Sequence, residues 1–293
     1  MNAVKTFVLM FAMLVIFALA GQAIGGERGM IMAFSFAVVS NLVMYWFSDK
    51  IVLMMYRAKE AKEQDEPELY RIIRNMTIKE NLPMPKVYVI NTPSPNAFAT
   101  GRNPQHAAVA VTQGIMDILN ESELEAVIAH ELSHVRNRDI LISTIAATFA
   151  AAITMLARMG EFALIFGGFG GRDRDDRGGG IGMLLMIILA PLAALLIQMA
   201  ISRSREFSAD EGSARITHRP MALVSALRKL EDAGKQIPMA ANPATAHMFI
   251  VNPLHGEGIV NLFRTHPTTA KRIARLEQLD KDEKMSGMPK IIS

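Results

Sequence analysis

His130-Glu131-Leu132-Ser133-His134 is the stretch that decides how this chain of 293 residues reads. It has the pattern His-Glu-x-x-His within a run of helical character. Residues four apart share one face of an α-helix, so both imidazoles can reach a single metal ion. Glu131 is rotated by one position, where its carboxylate reaches a water beside the metal without being a ligand. Zinc-assisted peptide hydrolysis needs that arrangement. With seven histidines in the chain, chance would give the pattern in roughly one such sequence in a hundred.

The flanks predict the helix independently. Asn120 is placed to cap it, with Glu123 as its capping-box partner. Glu121, Glu123 and Glu125 gather at the positive end of the helix dipole, and Arg136 and Arg138 at the negative end. Leu124, Val127, Ile128 and Leu132 form an apolar stripe at helical spacing. The bland alternative is a surface helix bearing two solvated histidines. The apolar neighbours argue against it.

Hydrophobic residues make up 51% of the chain, and they are concentrated. Residues 4–24 and 30–47 are apolar runs long enough to cross a bilayer, the second closed by Tyr45 and Trp46. Residues 181–201 form a third clear candidate, and 140–156 a shorter, alanine-rich fourth that also reads as a buried helix. Lys5 followed by an apolar run and Ala18-Leu19-Ala20 resembles a secretion signal, but the run continues past that point, which favours an uncleaved anchor. The chain has no cysteine, which excludes disulfides and thiolate zinc ligands and leaves His and carboxylate. A net charge of +3, with no basic cluster interleaved with aromatics, gives no sign of a nucleic-acid partner.

Four parts follow: a membrane hairpin (1–47), a first catalytic part (48–139), a second membrane hairpin (140–201) and a second catalytic part (202–293). Leu69, Ile72, Ile73 and Met76 predict an amphipathic helix that Pro83 and Pro85 end. Residues 86–90 and 107–112 read as strands, 91–101 as a turn-rich loop, and 220–232 and 267–279 as helices with proline in the first turn. The glycine-rich stretch 167–182 has no Gly-Lys-Ser/Thr ending and no strand before it, so it reads as a linker between spans. Residues 284–293 read as a loose tail.

A site built from both catalytic parts needs them on one side of the membrane, hence an even number of crossings between them. The catalytic side then carries Lys5, Lys50, Arg57, Lys59, Lys62, Arg136, Arg138, Arg203, Arg205, Arg215 and Arg219. The opposite loops hold Arg28, Arg172, Arg174 and Arg177. That imbalance places the catalytic face in the cytoplasm.

A catalytic zinc takes three protein ligands. After His134 the chain reads Val-Arg-Asn-Arg-Asp, without the glycine and third histidine of the extended pattern. Glu161 and Glu206 are the candidates. Glu161 sits among apolar residues, whereas Glu206 lies in Arg203-Ser204-Arg205-Glu206-Phe207-Ser208-Ala209-Asp210, where the chain leaves the last span toward the catalytic side. Glu206 and Asp210 face the same way, so one can bind zinc while the other holds an imidazole from behind. Simple ion pairing with Arg203 or Arg205 is the competing explanation for Glu206.

These motifs, with Asn96-Ala97-Phe98-Ala99-Thr100-Gly101, resemble the HtpX membrane metalloproteases, relatives of the CAAX prenyl proteases, over nearly the whole chain. The resemblance implies a mostly α integral membrane protein with a zincin-like α+β catalytic domain, a small sheet beside the His-Glu-x-x-His helix. It implies one zinc on His130, His134 and Glu206, Glu131 as general base, and quality control of membrane proteins at the cytoplasmic face of the inner membrane. It also gives Asn96 a place holding the substrate backbone, and His266 and Arg272 a place near the developing oxyanion or orienting the glutamate ligand. Simple turn chemistry would otherwise account for Asn96, and helix capping for His266. His106, His218, His247 and His255 belong to no pattern.

Two other functions compete. A membrane chaperone or scaffold with structural zinc would leave Glu131 without a task and would want four protein ligands. A transporter would need charges near the centres of its spans, and none lie there.

Overall fold

The computed structural model describes residues 2–146, 148, 203–236, 250 and 267–286. Helix α1 (Asn2–Met55) holds both N-terminal apolar runs and folds back on itself. Gly26 takes a φ of 61°, which glycine adopts without penalty. Asn41 donates to the Met10 carbonyl at 3.0 Å, and the rings of Phe17 and Phe36 lie 5.9 Å apart. In a straight helix Met10 and Asn41 would be separated by about 46 Å. Gly21 and Gly29 let the arms touch, since a Cβ on either would overlap the other's carbonyl oxygen. The arm Gly26–Met55 is long and apolar enough to cross a membrane, and Thr6–Leu19 is a shorter apolar helix.

The hairpin leads into a four-stranded sheet ordered β1-β2-β4-β3. Its strands are β1 (Lys59–Glu60), β2 (Lys86–Ile90), β3 (Ala97–Gly101) and β4 (Ala107–Thr112). β2 and β4 run parallel, and the two outer pairings are antiparallel. β2 and β4 match the strands read from the sequence. β3 corrects the reading of residues 91–101 as loop throughout. Ala-Phe-Ala-Thr-Gly has little strand propensity of its own, and its pairing from Ala97–Val111 to Gly101–Ala107 holds it extended.

Helices cover the sheet. α2 (Pro67–Lys79) buries Leu69, Ile72, Ile73 and Met76, as its amphipathic spacing predicts. The short α3 (Gln113–Ile118) leads into α4 (Glu121–Arg136), whose capping box forms as the sequence predicts: Asn120 accepts from the Glu123 N–H, and Glu123 from the Asn120 N–H. α5 (Arg203–Thr217), α6 (Pro220–Gln236) and α7 (Thr269–Ser286) pack around α4. The expected Pro267 helix starts two residues later, so the proline precedes it. Glu123 also accepts from Lys229 and Ser225 of α6, at 2.7 and 2.6 Å, which pins α6 to the start of α4. Leu124, Val127, Ile128 and Leu132 of α4 sit in the main core with Leu223, Leu227 and Leu276.

Residues 140–146 are helical, and Ile142, Ile145 and Ala146 pack on Leu9 and Met13 of the hairpin. The rest of the expected 140–156 span, the 181–201 span, the 167–182 linker, Glu161 and His266 lie outside the described residues.

Candidate metal centre and active site

Two helices and one strand edge build the site. α4 presents His130, Glu131 and His134, all from its buried face or close to it. α5 packs against α4 at close range, since a Cβ on Gly212 would overlap the Ser133 side chain. Ser213 fixes that contact by donating to the Ala126 carbonyl at 2.6 Å. This close packing brings Glu206 to the two imidazoles.

The Nε2 of His130 lies 3.8 Å from one Glu206 oxygen, and the Nε2 of His134 lies 3.6 Å from the other. One ligand atom from each of the three lies within 4.8 Å of the rest. Ligands around a tetrahedral zinc stand about 3.3 Å apart, so the spacing fits such an ion. Each imidazole is also gripped from behind. His130 Nδ1 lies 3.0 Å from Asp210, and His134 Nδ1 lies 3.3 Å from Asp139. With both Nδ1 atoms turned to carboxylates, the Nε2 atoms are left to face a cation.

Electrostatics agree with that fit. Burial opposes charge on His134, yet Asp139, Glu206 and Glu131 push its pKa up to about 9. The pocket therefore draws a positive charge to the place where the ligand atoms converge. Burial dominates at His130 and lowers its pKa, leaving the neutral imidazole that a metal requires. Burial opposes ionisation of Asp210 too, but Arg272 and His130 hold its pKa below the usual range.

Glu131 is buried, and burial together with Glu206 pushes its pKa up to about 7. One of its oxygens accepts from the Ala99 N–H of β3 at 3.0 Å. A carboxylate tuned near neutrality and held beside the ligand cluster, yet outside it, suits proton transfer.

Arg272 is fully buried and reaches Asp210 through Nε and Nη2, at 2.9 and 2.6 Å. Its Nη1 donates to the Ile250 carbonyl at 2.6 Å, and Nη2 lies 3.4 Å from His130 Nδ1. These contacts place it behind His130. Asn96 sits just ahead of β3, buried, with neither atom of its side-chain amide hydrogen-bonded. Asp139 and Ala99 are site residues that the sequence reading missed. The signal for Asp139 was a carboxylate one turn beyond the second histidine. Nothing in the sequence marked the Ala99 N–H, because a backbone donor is identified only by the strand that aims it. Arg205, next to Glu206, keeps both terminal guanidinium nitrogens buried and without a hydrogen bond, and the charges of Asp139 and Glu206 partly offset that burial.

A helix bearing two imidazoles and a proton-transfer carboxylate, completed by a carboxylate from a second helix, defines a metalloprotease. The chain belongs to Peptidase family M48, whose model matches residues 63–280. It is 54% identical over 277 residues to a "Protease HtpX homolog" of Thermococcus sibiricus, covering 94% of this chain and 95% of that protein. It is 55% identical over 281 residues to one of Salinibacter ruber, covering 95% and 98%. Another, of Ralstonia pickettii, is 54% identical over 282 residues, covering 95% and 96%. The fold is similar to that in the crystal structure of S. mikatae Ste24p, with a TM-score of 0.51 at 20% identity, over 94% of this chain and 65% of that one.

Proposed function

We propose that this chain is a zinc-dependent endopeptidase of the inner cell membrane, cutting misfolded or damaged membrane proteins at their cytoplasmic segments. The observation that carries the proposal is the convergence of His130, His134 and Glu206 within 4.8 Å beside a non-ligating Glu131. His130, His134 and Glu206 would hold one zinc, which when bound polarises the scissile carbonyl and acidifies a water. Glu131 takes a proton from the attacking water and delivers it to the leaving amine. The Ala99 N–H keeps the Glu131 carboxylate in place. Asp210 and Asp139 accept the Nδ1 protons of His130 and His134, fixing tautomer and orientation. Arg272 is a positioning residue, since its donors are spent on Asp210 and the Ile250 carbonyl. His266 is assigned to the developing oxyanion on the resemblance alone. The amide of Asn96 holds the substrate backbone, and the outer edge of β3, unpaired with any strand among the described residues, receives the substrate as an added strand beside the Ala99–Glu131 contact.

Membrane residence rests on the apolar length of Gly26–Met55, on its hairpin with the preceding arm, and on the HtpX relatives. Cytoplasmic orientation rests on the lysine and arginine imbalance across the spans. A scaffold with structural zinc is disfavoured, because the cluster among the described residues offers three ligands and structural sites take four.

Cleavage of an unfolded protein such as casein by the detergent-purified chain tests the proposal. Zinc added to metal-free protein restores cleavage by wild type and gives none with Glu131→Gln. Equal cleavage by the two would remove Glu131 from the mechanism. Zinc binding with no cleavage of casein or of membrane proteins would favour the scaffold.

A further inference from the structure

The end of the apolar arm of α1 carries a feature that the peptidase site leaves unused. Val39, Val43 and Phe47 are exposed and follow one another at helical spacing. The same spacing continues through the exposed Lys50 and Met54 to Arg57, just past the last turn. An apolar face thus passes, in register, into a face with two cations around a methionine. Residues 30–47 span about 27 Å at the rise of an α-helix, close to the thickness of a bilayer's hydrocarbon core. The stripe changes character where that length ends.

The close of the helix gathers both cations at one place. Ala58 donates its N–H to the Leu53 carbonyl at 2.9 Å, and Arg57 donates its own to the Met54 carbonyl at 3.0 Å. That pair of bonds ends a helix on a left-handed residue, a position usually held by glycine. Here it is Arg57, at a φ of 51°. Lys50, Leu53, Met54, Arg57, Ala58 and Tyr88 of β2 line an open cleft of about 460 Å³. Its inner wall is apolar, because Leu53, Ala58 and Tyr88 pack in the cluster around Phe98. The carboxylates nearby are answered elsewhere. Glu60 accepts from Lys86 at 3.4 Å and from the Tyr88 hydroxyl at 3.3 Å, and Asp49 lies within electrostatic reach of the same two residues. The Lys50 ammonium sits 5.4 Å from the Phe47 ring, and among the described residues neither Lys50 nor Arg57 has a carboxylate partner. The negative end of the helix dipole would account for Arg57 alone, since Lys50 lies before the last turn.

We propose that this cleft binds the headgroup of an anionic glycerophospholipid, its phosphate between Lys50 and Arg57 and an acyl chain along Phe47, Val43 and Val39. A bilayer's headgroup layer is about 5–8 Å deep. Lys50 and Arg57 stand about 10 Å apart along the helix axis, so their long side chains close on that layer from its two sides. The two cations attract any phosphate, but they continue an apolar stripe that only an anion with acyl chains can cover. The site rests on the membrane residence proposed above and is independent of peptide cleavage.

Trp46 is the chain's single tryptophan, half exposed and one turn before Lys50, so its fluorescence reports on the lipid beside the cleft. The full chain is reconstituted in phosphatidylcholine vesicles that carry the same small fraction of brominated phosphatidylglycerol or of brominated phosphatidylcholine, and quenching of Trp46 is compared. The expected result is stronger quenching by the anionic lipid, an apparent preference of about fivefold for each cation. Lys50→Gln with Arg57→Gln should bring the two lipids level, whereas Lys59→Gln with Lys62→Gln should not. Equal quenching by the two lipids in wild type overturns the site. A preference lost equally in both double variants also overturns it, since that marks diffuse attraction to a basic surface. So does a preference abolished by inorganic phosphate but not by chloride of equal ionic strength, which assigns the cleft to the free ion. No quenching by either lipid takes Trp46 out of the bilayer and removes the membrane reading together with the site.

Discussion

Glu131 is pulled in two directions by its neighbours. Burial and the Glu206 charge favour its protonated form, while His134 and the Ala99 N–H favour the carboxylate. The balance leaves a base that takes a proton and can release it. Glu131→Gln keeps size and burial but cannot accept a proton, so kcat/KM should fall by about 10²–10⁴-fold with zinc content unchanged. Asp139 acts one bond further out, through His134. Asp139→Asn should weaken zinc binding by about 10–100-fold in a chelator competition. His134 also predicts a pH dependence. In the metal-free pocket its pKa is raised from 6.5 to about 9, so below that pH a proton occupies the place of the metal. Zinc affinity of the metal-free protein should rise with pH by up to about tenfold per unit toward 9 and then level off, with proton release accompanying binding. A flat affinity between pH 7 and 9 would contradict this charge balance.

The helices were legible in the sequence because their signals are local. The Asn120–Glu123 box, the stripe through Leu132 and the periodic Leu69, Ile72, Ile73 and Met76 each fix an element within a few residues. The two segments that supply the His130, His134 and Glu206 cluster were legible for the same reason, since His130 with His134, and Glu206 with Asp210, share a face by spacing alone. What the sequence hid is set by partners distant along the chain. β3 is a strand through its pairing with β4, and the grip of Arg272 on Asp210 needs α7 to cross behind α4 and α5. The separation of α4 from α5 belongs to the same scale. Gly212→Ala should push α5 off Ser133, cost about 1–3 kcal/mol in thermal unfolding and weaken zinc binding by moving Glu206. Ser133→Gly in the same chain should restore part of the zinc affinity. Full affinity in Gly212→Ala alone would show that the close approach does not set the site.

At the scale of the whole molecule, one arm of the N-terminal hairpin ends in the sheet, and that sheet holds the strand beside the catalytic carboxylate. The candidate membrane hairpin and the sheet therefore share packing, through Val52 and Leu53 against Phe98, Ala108 and Ala110. The absence of cysteine makes the chain's orientation easy to read. In intact cells, an impermeant thiol reagent should label Arg28→Cys and leave Lys62→Cys unlabelled until the membrane is opened. The reverse pattern would turn the catalytic face outward. The central claim is that one zinc, on His130, His134 and Glu206, makes this chain a peptidase. The most direct test is to titrate zinc into the metal-free protein and follow bound metal and cleavage rate together. The account predicts that both saturate at one zinc per chain, and that Glu206→Gln loses both at the same zinc concentration. Cleavage that persists without bound zinc, or tight zinc binding and full activity in Glu206→Gln, would contradict it.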